Sequence, residues 1–274
     1  MKDELKALVT AFADNESRLL VLTGEGVAEE CGIPPFRQDP RPFIYEGTAY
    51  TARDLMTRRL FDESPQAVWA WHLLRMEEAR QAEPGPAHRA VANAATLLGE
   101  RMCVVTECVD GLHRRSPLPA GALFEPQGNL FAMRCLADCT LTLYPVPRGL
   151  YGWNADRVWN EADWQLLRCP ACGGPTRPHI LWRDEIYNEV NYRLNTILNA
   201  ARCTDFLVVA GFSGHTNLAN KVAWEVSLDH RARIVDINPA LNPVAALARR
   251  IGGVNLESPP SEVLPELLDA LANT

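Results

Sequence analysis

The chain has 274 residues, of which 47% are hydrophobic, and it carries a formal net charge of −7. This length and apolar content suffice for one α/β domain with a sizeable core and a smaller appended module. The acidic balance argues against nucleic acid or an anionic membrane as a partner, and no apolar run approaches the roughly 20 residues that cross a bilayer. We therefore expect a cytoplasmic protein with no nucleic-acid and no membrane partner.

Hydrophobic periodicity predicts alternating helices and strands. Apolar residues recur at helical spacing between Leu5 and Phe12, and again over residues 88–98, 190–201 and 218–228. Four apolar runs have the composition of buried strands: Leu19–Thr23, Met102–Thr106, Phe206–Ala210 and Arg233–Ile237. This alternation predicts an α/β fold built on a doubly wound, Rossmann-like parallel sheet.

Two stretches interrupt the alternation. Residues 38–84 are rich in Pro and Arg before a long amphipathic helix, and residues 131–184 contain four spaced cysteines. We expect these stretches to form a second, smaller module beside a main domain of residues 1–37, 85–130 and 185–274. Such an arrangement leaves a cleft at the strand tips, where ligands of open α/β sheets bind.

The cysteine spacing predicts that the smaller module binds zinc. Cys135 and Cys139 form one pair, and Cys169 and Cys172 form the second. Two such pairs are typical of a closed, structural Zn²⁺ site with four thiolate ligands. The alternative is a set of reduced cysteines that hold no metal.

A glycine turn follows the first strand. Gly24-Glu25-Gly26 places bare backbone at the strand tip, where amide N–H groups could approach a dinucleotide pyrophosphate. Arg37, directly after Phe36, supplies a planar guanidinium suited to a phosphate or ribose oxygen. By itself the turn is also compatible with an ordinary strand-to-helix connection.

Three later segments follow in a set order. They are Thr106-Glu-Cys-Val-Asp-Gly-Leu-His113, Gln127-Gly-Asn-Leu130, and Gly211-Phe-Ser213 with Asn238 beyond it. With the glycine turn and the cysteine pairs, they make nearly the whole chain resemble the sirtuins, the NAD-consuming protein deacylases and ADP-ribosyl transferases. The resemblance implies NAD as a co-substrate. The positions at which it implies coenzyme contacts are Gly24, Glu25, Gly26, Phe36, Arg37, Asp110, Gly211, Ser213 and Asn238.

Several chemical positions of the sirtuin pattern are altered. Asp110, which the resemblance assigns to the nicotinamide carboxamide, is retained, whereas Glu107 and Cys108 replace Gln and Asn. Cys108 is a candidate nucleophile, although a thiol beside a buried strand is more often inert packing. Gln127 stands where sirtuin deacylases carry the His that deprotonates a ribose hydroxyl.

The change at position 127 decides the expected reaction. An imidazole can exchange a proton near neutrality and a carboxamide cannot, so Gln127 can only orient a hydroxyl or a water. A sirtuin branch linked to macrodomain operons, which performs ADP-ribosyl transfer, also has Gln there. We therefore expect cleavage of the nicotinamide–ribose bond and transfer of ADP-ribose to an unknown protein or small-molecule acceptor. The alternatives are an NAD-dependent lysine deacylase, and a catalytically silent module that binds NAD or ADP-ribose.

Two segments resemble the acyl-substrate site of sirtuins. Leu181 and Arg183 lie in a stretch similar to the strand that clamps acyl-lysine, although Arg183 replaces an apolar Phe. Desuccinylase-like members hold acidic acyl groups with a Tyr and an Arg three residues apart on one helix face; here Arg75 matches the Arg, and His72 replaces the Tyr. The alternative is a solvated Arg beside the edge of the core.

Overall fold

The structure is a computed structural model that describes residues 3–12, 16–119, 121–214 and 216–273. Its strands are β1 (Leu19–Thr23), β2 (Phe43–Tyr45), β3 (Thr48–Tyr50), β4 (Met102–Thr106), β5 (Leu123–Phe124), β6 (Gly128–Cys135), β7 (Tyr144–Pro145), β8 (Thr176–Ile180), β9 (Phe206–Ala210), β10 (Arg233–Ile237) and β11 (Val254–Leu256).

The helices of the same residues are α1 (Asp3–Ala11), α2 (Glu25–Glu29), α3 (Ala52–Leu55), α4 (Arg58–Glu63), α5 (Pro65–Gln81), α6 (Pro86–Leu98), α7 (Leu112–Arg115), α8 (Glu161–Leu166), α9 (Glu189–Tyr192), α10 (Leu194–Arg202), α11 (Leu218–Ser227), α12 (Pro243–Arg250) and α13 (Pro260–Ala272). Short 3-10 turns occupy Gly99–Arg101 and Arg148–Leu150.

The larger lobe contains a six-stranded sheet in the order β11-β10-β9-β1-β4-β5. Every pairing in this sheet is parallel. The chain enters at β1, continues to β4 and β5 on one side, and later adds β9, β10 and β11 on the other. The strand order therefore reverses between β1 and β9, which is where open α/β sheets bind ligands beyond the carboxyl ends of their strands.

Alternate side chains of the central strands pack against two helical layers. Leu19 and Val21 belong to an apolar cluster with helices α1, α6 and α13. Leu20 and Leu22 belong to a second cluster with α10, α11 and α12. A strand buried on both faces must be apolar throughout, which explains the unbroken Leu-Leu-Val-Leu run of β1.

The smaller lobe combines α3, α4 and α5 with the hairpin β2-β3 and the antiparallel sheet β7-β6-β8. Its core includes the fully buried indoles of Trp69 and Trp182, and Trp69 Nε1 donates to the Thr176 carbonyl at 3.4 Å. The expected domain limit at residue 130 falls inside β6, so this strand runs from the cleft into the four-cysteine site.

The fold class is as the sequence predicts, and the four predicted strands are confirmed residue by residue. The single helix expected over residues 190–201 is wrong. It is divided into α9 and α10 by Arg193, whose φ of 56° lies in the left-handed region. Among the described residues, no helix has both the length and the apolarity needed to cross a membrane.

Candidate active site

The glycine turn lies at the switch point of the sheet, pressed against the backbone that follows β9. The Gly24 N–H donates to the Ala210 carbonyl at 2.9 Å, and the Gly26 N–H donates to the Gly211 carbonyl at 2.9 Å. A Cβ on Gly24 would approach the Gly211 oxygen to 2.4 Å. These glycines therefore permit two strand tips to touch, and their own amides are already used within the protein.

The carboxylate of Glu25 is satisfied within the same loop. Its Oε1 accepts from the Arg37 backbone N–H at 3.2 Å. Burial raises the pKa of Glu25 above its ordinary value, although this hydrogen bond and the Arg37 charge act in the opposite direction. Glu25 thus joins the start of α2 to the segment that carries Arg37.

Asn238 follows β10 at the far side of the turn and is buried. Its Nδ2 donates to Oδ1 of Asp236 at 2.5 Å, and Asn242 and Asn255 also donate to Asp236. Burial raises the pKa of Asp236 to about 6, against the lowering effect of these hydrogen bonds. Ser213, by contrast, is exposed in the loop after β9.

Gln127 lies at the other end of the cleft, directly before β6, and is 1% exposed. The Arg37 guanidinium donates to its Oε1 and also to the Leu181 carbonyl. Its Nε2 donates to the Tyr187 hydroxyl, and its carbonyl accepts from the Leu181 N–H at 2.9 Å. The carboxamide is therefore held in one orientation by two side chains from distant parts of the chain.

Glu107 lies beside this group, immediately after β4, and is 5% exposed. The Thr216 hydroxyl donates to its Oε1. Burial raises the pKa of Glu107 to about 7, although hydrogen bonding from Thr216 and Gln127 and the charge of Arg37 lower it. Arg37, Glu107, Gln127, Tyr187 and Thr216, here called the reacting-end cluster, form a polar network in which Glu107 and Gln127 are buried and the other three residues are half-buried.

Asp110 and Cys108 occupy the wall between the two ends. Asp110 Oδ1 accepts from the Leu112 N–H at 2.7 Å, and burial raises its pKa to about 6. The Cys108 thiol is buried and donates to the Gly24 carbonyl at 3.1 Å. Burial raises the pKa of Cys108 well above its ordinary value, so the geometry favours inert packing over the nucleophilic role.

Arg75 and His72 are buried on α5, each 2% exposed. Arg75 donates to Oδ2 of Asp39 at 2.7 Å and to the Pro34 carbonyl. Burial lowers the pKa of His72 to about 3, so its ring is neutral near pH 7. Arg75 thus holds both ends of the loop that carries Phe36 and Arg37, and the expected contact of this pair with an acyl anion stays a prediction.

Arg183 and the residue after it, Asp184, differ in their surroundings. Arg183 is exposed, and its backbone N–H donates to the Met56 carbonyl at 2.8 Å. Asp184 accepts from the N–H groups of Arg58 and Arg59, at 2.8 and 3.1 Å. Asp184 therefore accepts hydrogen bonds from the N-terminus of α4, where a negative charge is favourable.

The cysteine pairs meet at the end of the smaller lobe. The sulfur atoms of Cys135, Cys139, Cys169 and Cys172 all lie within 4.8 Å of one another. Two of the separations, Cys135 to Cys172 and Cys139 to Cys169, are 3.7 Å. Four thiolates about 2.3 Å from a tetrahedral Zn²⁺ would lie about 3.8 Å apart, so the donor set and its spacing fit this metal.

Comparison with known proteins agrees with this geometry. Residues 24–217 match the model of the Sir2 family. The chain belongs to the Sir2 family, the sirtuins. It is 33% identical over 266 residues to the NAD-dependent protein deacylase 1 of Pseudomonas aeruginosa, covering 96% of this chain and 98% of that protein. It is 30% identical to an NAD-dependent protein deacylase of Pyrococcus furiosus, covering 96% of each.

Solved sirtuin structures share the whole fold. A Sir2 homologue in complex with NAD has a TM-score of 0.75 and 27% identity, and covers 98% of this chain and 94% of its own. A mutant Sir2 homologue in complex with 2′-O-acetyl ADP ribose has a TM-score of 0.76 and 27% identity, covering 100% and 97%. Both lobes of this sirtuin are therefore represented in the neighbours.

Three residues of this sirtuin's cleft are not found by sequence reasoning: Tyr187, Thr216 and Asp39. None follows a recognisable spacing, since each lies in a connecting segment and reaches its partner only through the fold. Glu107 is visible in the sequence as a substitution in the Thr106–His113 segment. Its link to Thr216 is not, because the two residues are 109 positions apart.

Proposed function

We propose that this sirtuin is an NAD-dependent protein deacylase. The observation that carries the proposal is full-length similarity to proteins named as such deacylases, at 33% identity over 96% of the chain. This similarity favours deacylation over the ADP-ribosyl transfer that the residue at position 127 suggests. NAD, as the co-substrate, would supply the activated nicotinamide–ribose bond.

The chain's own residues fit that co-substrate. A small cavity is lined by apolar residues, among them Ile33, Phe36 and Val109, and by the charged residues Glu25, Arg75 and Asp110. An aromatic ring bearing a carboxamide would use apolar contact together with a hydrogen-bond acceptor, and this cavity offers both. Asp110 would accept from the amide, and Arg37 would donate to a ribose or phosphate oxygen. Gln127 would orient the reacting hydroxyl.

The zinc site has a separate, structural role. Four thiolates leave no open coordination position, so Zn²⁺ would hold the end of the smaller lobe together and take no part in the reaction. Through β6, the same lobe positions Gln127 at the cleft.

The test is incubation with NAD and an acetyl-lysine peptide, with nicotinamide and deacetylated peptide measured together by mass spectrometry. Equal amounts of both products are expected. Nicotinamide release without loss of the acetyl group would refute deacylation. Tight binding of NAD by calorimetry with neither product would instead favour a silent binding module.

A second candidate function, ADP-ribosyl transfer, rests on one observation. Gln127 cannot titrate, and Arg37 and Tyr187 hold its carboxamide in place. NAD labelled in its adenine would then mark a protein acceptor. Replacement Gln127→His, compared with Gln127→Ala, separates the two functions: deacylation by an imidazole base should rise with His alone, whereas transfer gains nothing from it.

A further inference from the structure

Glu107 is a buried carboxyl in the cleft near Gln127. The proposed function gives it no role so far. Its backbone N–H donates to the Thr23 carbonyl at 2.8 Å and so continues the pairing of β4 with β1. This fixes the residue at the strand tip, within the cleft. Its side chain accepts a hydrogen bond from the Thr216 hydroxyl, and the carboxamide of Gln127 is among the groups that act on its charge.

Several groups act on the charge of this carboxyl. Thr216 and Gln127 donate hydrogen bonds, the Arg37 cation attracts, and the Glu25 carboxyl repels. The hydroxyl of Tyr187 and the thiol of Cys108 also feel the Glu107 charge. Burial is the largest effect, and the outcome is a pKa of about 7. Both protonation states are therefore populated near neutral pH, as a general base requires.

The other members of the reacting-end cluster that surround Glu107 cannot perform this function. Gln127 has no titratable proton. Burial raises the pKa of Tyr187, an effect to which the Glu107 charge adds, and it raises the pKa of Cys108 well above the ordinary value. Arg37 remains a cation that only donates. Within the reacting-end cluster, Glu107 is the member that can accept a proton at neutral pH.

We propose that Glu107 is the proton acceptor of this sirtuin, receiving the proton of the hydroxyl that Gln127 orients. This inference rests on the proposed function. In the step, the hydroxyl O–H bond breaks and its proton passes to a Glu107 oxygen. The freed electron pair forms the new bond from the hydroxyl oxygen to the acyl carbon, whose π bond opens with its pair moving to the attached heteroatom. The carbon–nitrogen bond then breaks, its electron pair goes to the lysine nitrogen, and Glu107 returns the proton to that nitrogen, so no oxidant or reductant is needed.

The test compares Glu107→Gln with the wild-type protein. The variant keeps the shape of the side chain and an oxygen that can accept from Thr216, but it cannot take a proton. Glu100→Gln is the matched control, because Glu100 is exposed in the turn before β4, at the opposite end of that strand. Deacylated peptide and released nicotinamide are both measured between pH 5 and pH 9.

We expect wild-type deacylation to rise with pH through about 7, and the Glu100→Gln profile to be the same. Glu107→Gln should lose roughly 10²–10⁴ in deacylation and lose the rise with pH. Its nicotinamide release should fall at least tenfold less. A Glu107→Gln variant with the wild-type rate and pH profile would overturn the inference.

A readout without NAD completes the test. Infrared difference spectra between wild-type protein and Glu107→Gln follow the carboxyl band directly, and it should titrate near pH 7. A band that titrates in the ordinary acidic range overturns the role of Glu107 even if the enzyme is active. A wild-type protein that releases no nicotinamide would instead overturn the proposed function, and with it the need for a proton acceptor.

Discussion

The four-cysteine cluster and the reacting-end cluster each bring together side chains with chemical activity, but they are assembled differently. The two sulfur pairs that lie 3.7 Å apart are separated by 37 and 30 positions in the chain, but each of these four cysteines has a second one three or four residues away in sequence. Arg37 and Gln127 are 90 positions apart, and Glu107 and Thr216 are 109 apart. A site made of local pairs can be recognised by spacing, whereas a site made at strand tips needs the fold.

Of the changes considered, removal of zinc from the four-cysteine cluster should have the largest effect on stability. Structural zinc contributes roughly 10–16 kcal/mol of binding free energy that is also folding free energy. Cys169→Ser, or chelation of the wild-type protein, should therefore unfold the end of the smaller lobe. Near-ultraviolet circular dichroism of its tryptophans and a metal assay measure the change. Cys203→Ser is the control, since Cys203 is exposed and outside the cluster. Unchanged spectra after complete chelation would contradict a structural zinc.

The buried ion pair beneath the cleft comes next. Arg75 and Asp39 have side chains that are 2% and 3% exposed. Replacement Arg75→Met leaves a buried carboxylate with less compensation, so we expect a loss of about 3–5 kcal/mol in the free energy of unfolding by denaturant. Arg58→Met is the control. Its pair with Asp62 is 42% and 54% exposed and should contribute about 0–1 kcal/mol. Similar losses of unfolding free energy in both variants would show that burial does not determine how much an ion pair contributes to stability.

Glu107 gives a prediction with a defined sign. Its pKa is raised from 4.5 to about 7 in the folded state. Between these values the folded protein keeps a proton that the unfolded chain has lost, so wild-type stability falls as pH rises. Glu107→Gln should thus gain stability over wild type from about pH 4.5 to pH 7, reaching roughly 3 kcal/mol at higher pH. Thermal unfolding at pH 5 and pH 8 measures this, and a difference independent of pH would refute it.

The glycine contact at the switch point has the smallest expected effect. Gly211 and Gly152 have φ values of 68° and 73°, so alanine is strained at both. At Gly211 the new Cβ would also meet the Val27 nitrogen at 2.7 Å, whereas at Gly152 nothing lies within 4 Å. We expect Gly211→Ala to lose about 1–3 kcal/mol more than Gly152→Ala. Equal losses would mean that the strand tips can separate at little cost.

The sequence predicts regular structure best where burial is complete. The four central strands are five-residue, mainly apolar runs, and their limits agree with the structure. The edge strands β5 and β11 escape prediction because two or three residues carry no periodic signal. The division of α9 from α10 escapes it because Arg193 has no intrinsic preference for a left-handed backbone.

In the candidate site, too, the features that short sequence motifs carry could be predicted, and the contacts between distant residues could not. The positions of Gly24, Gly26 and Gln127 in the cleft follow from the family resemblance, and their roles in binding remain predictions. Arg75 illustrates the limit. Its helical spacing with His72 indicates a shared face, but the spacing cannot indicate that Asp39 and Pro34 already use the guanidinium.

The amino-acid sequence by itself determined the four central strands and the cysteine pairs, because each depends on residues close together in the chain. The tertiary structure alone decided which polar groups share the cleft, and therefore which carboxyl is buried next to Gln127. The physical reason is that a pKa depends on every group packed around the carboxyl, and those groups come from four separate strand tips and loops.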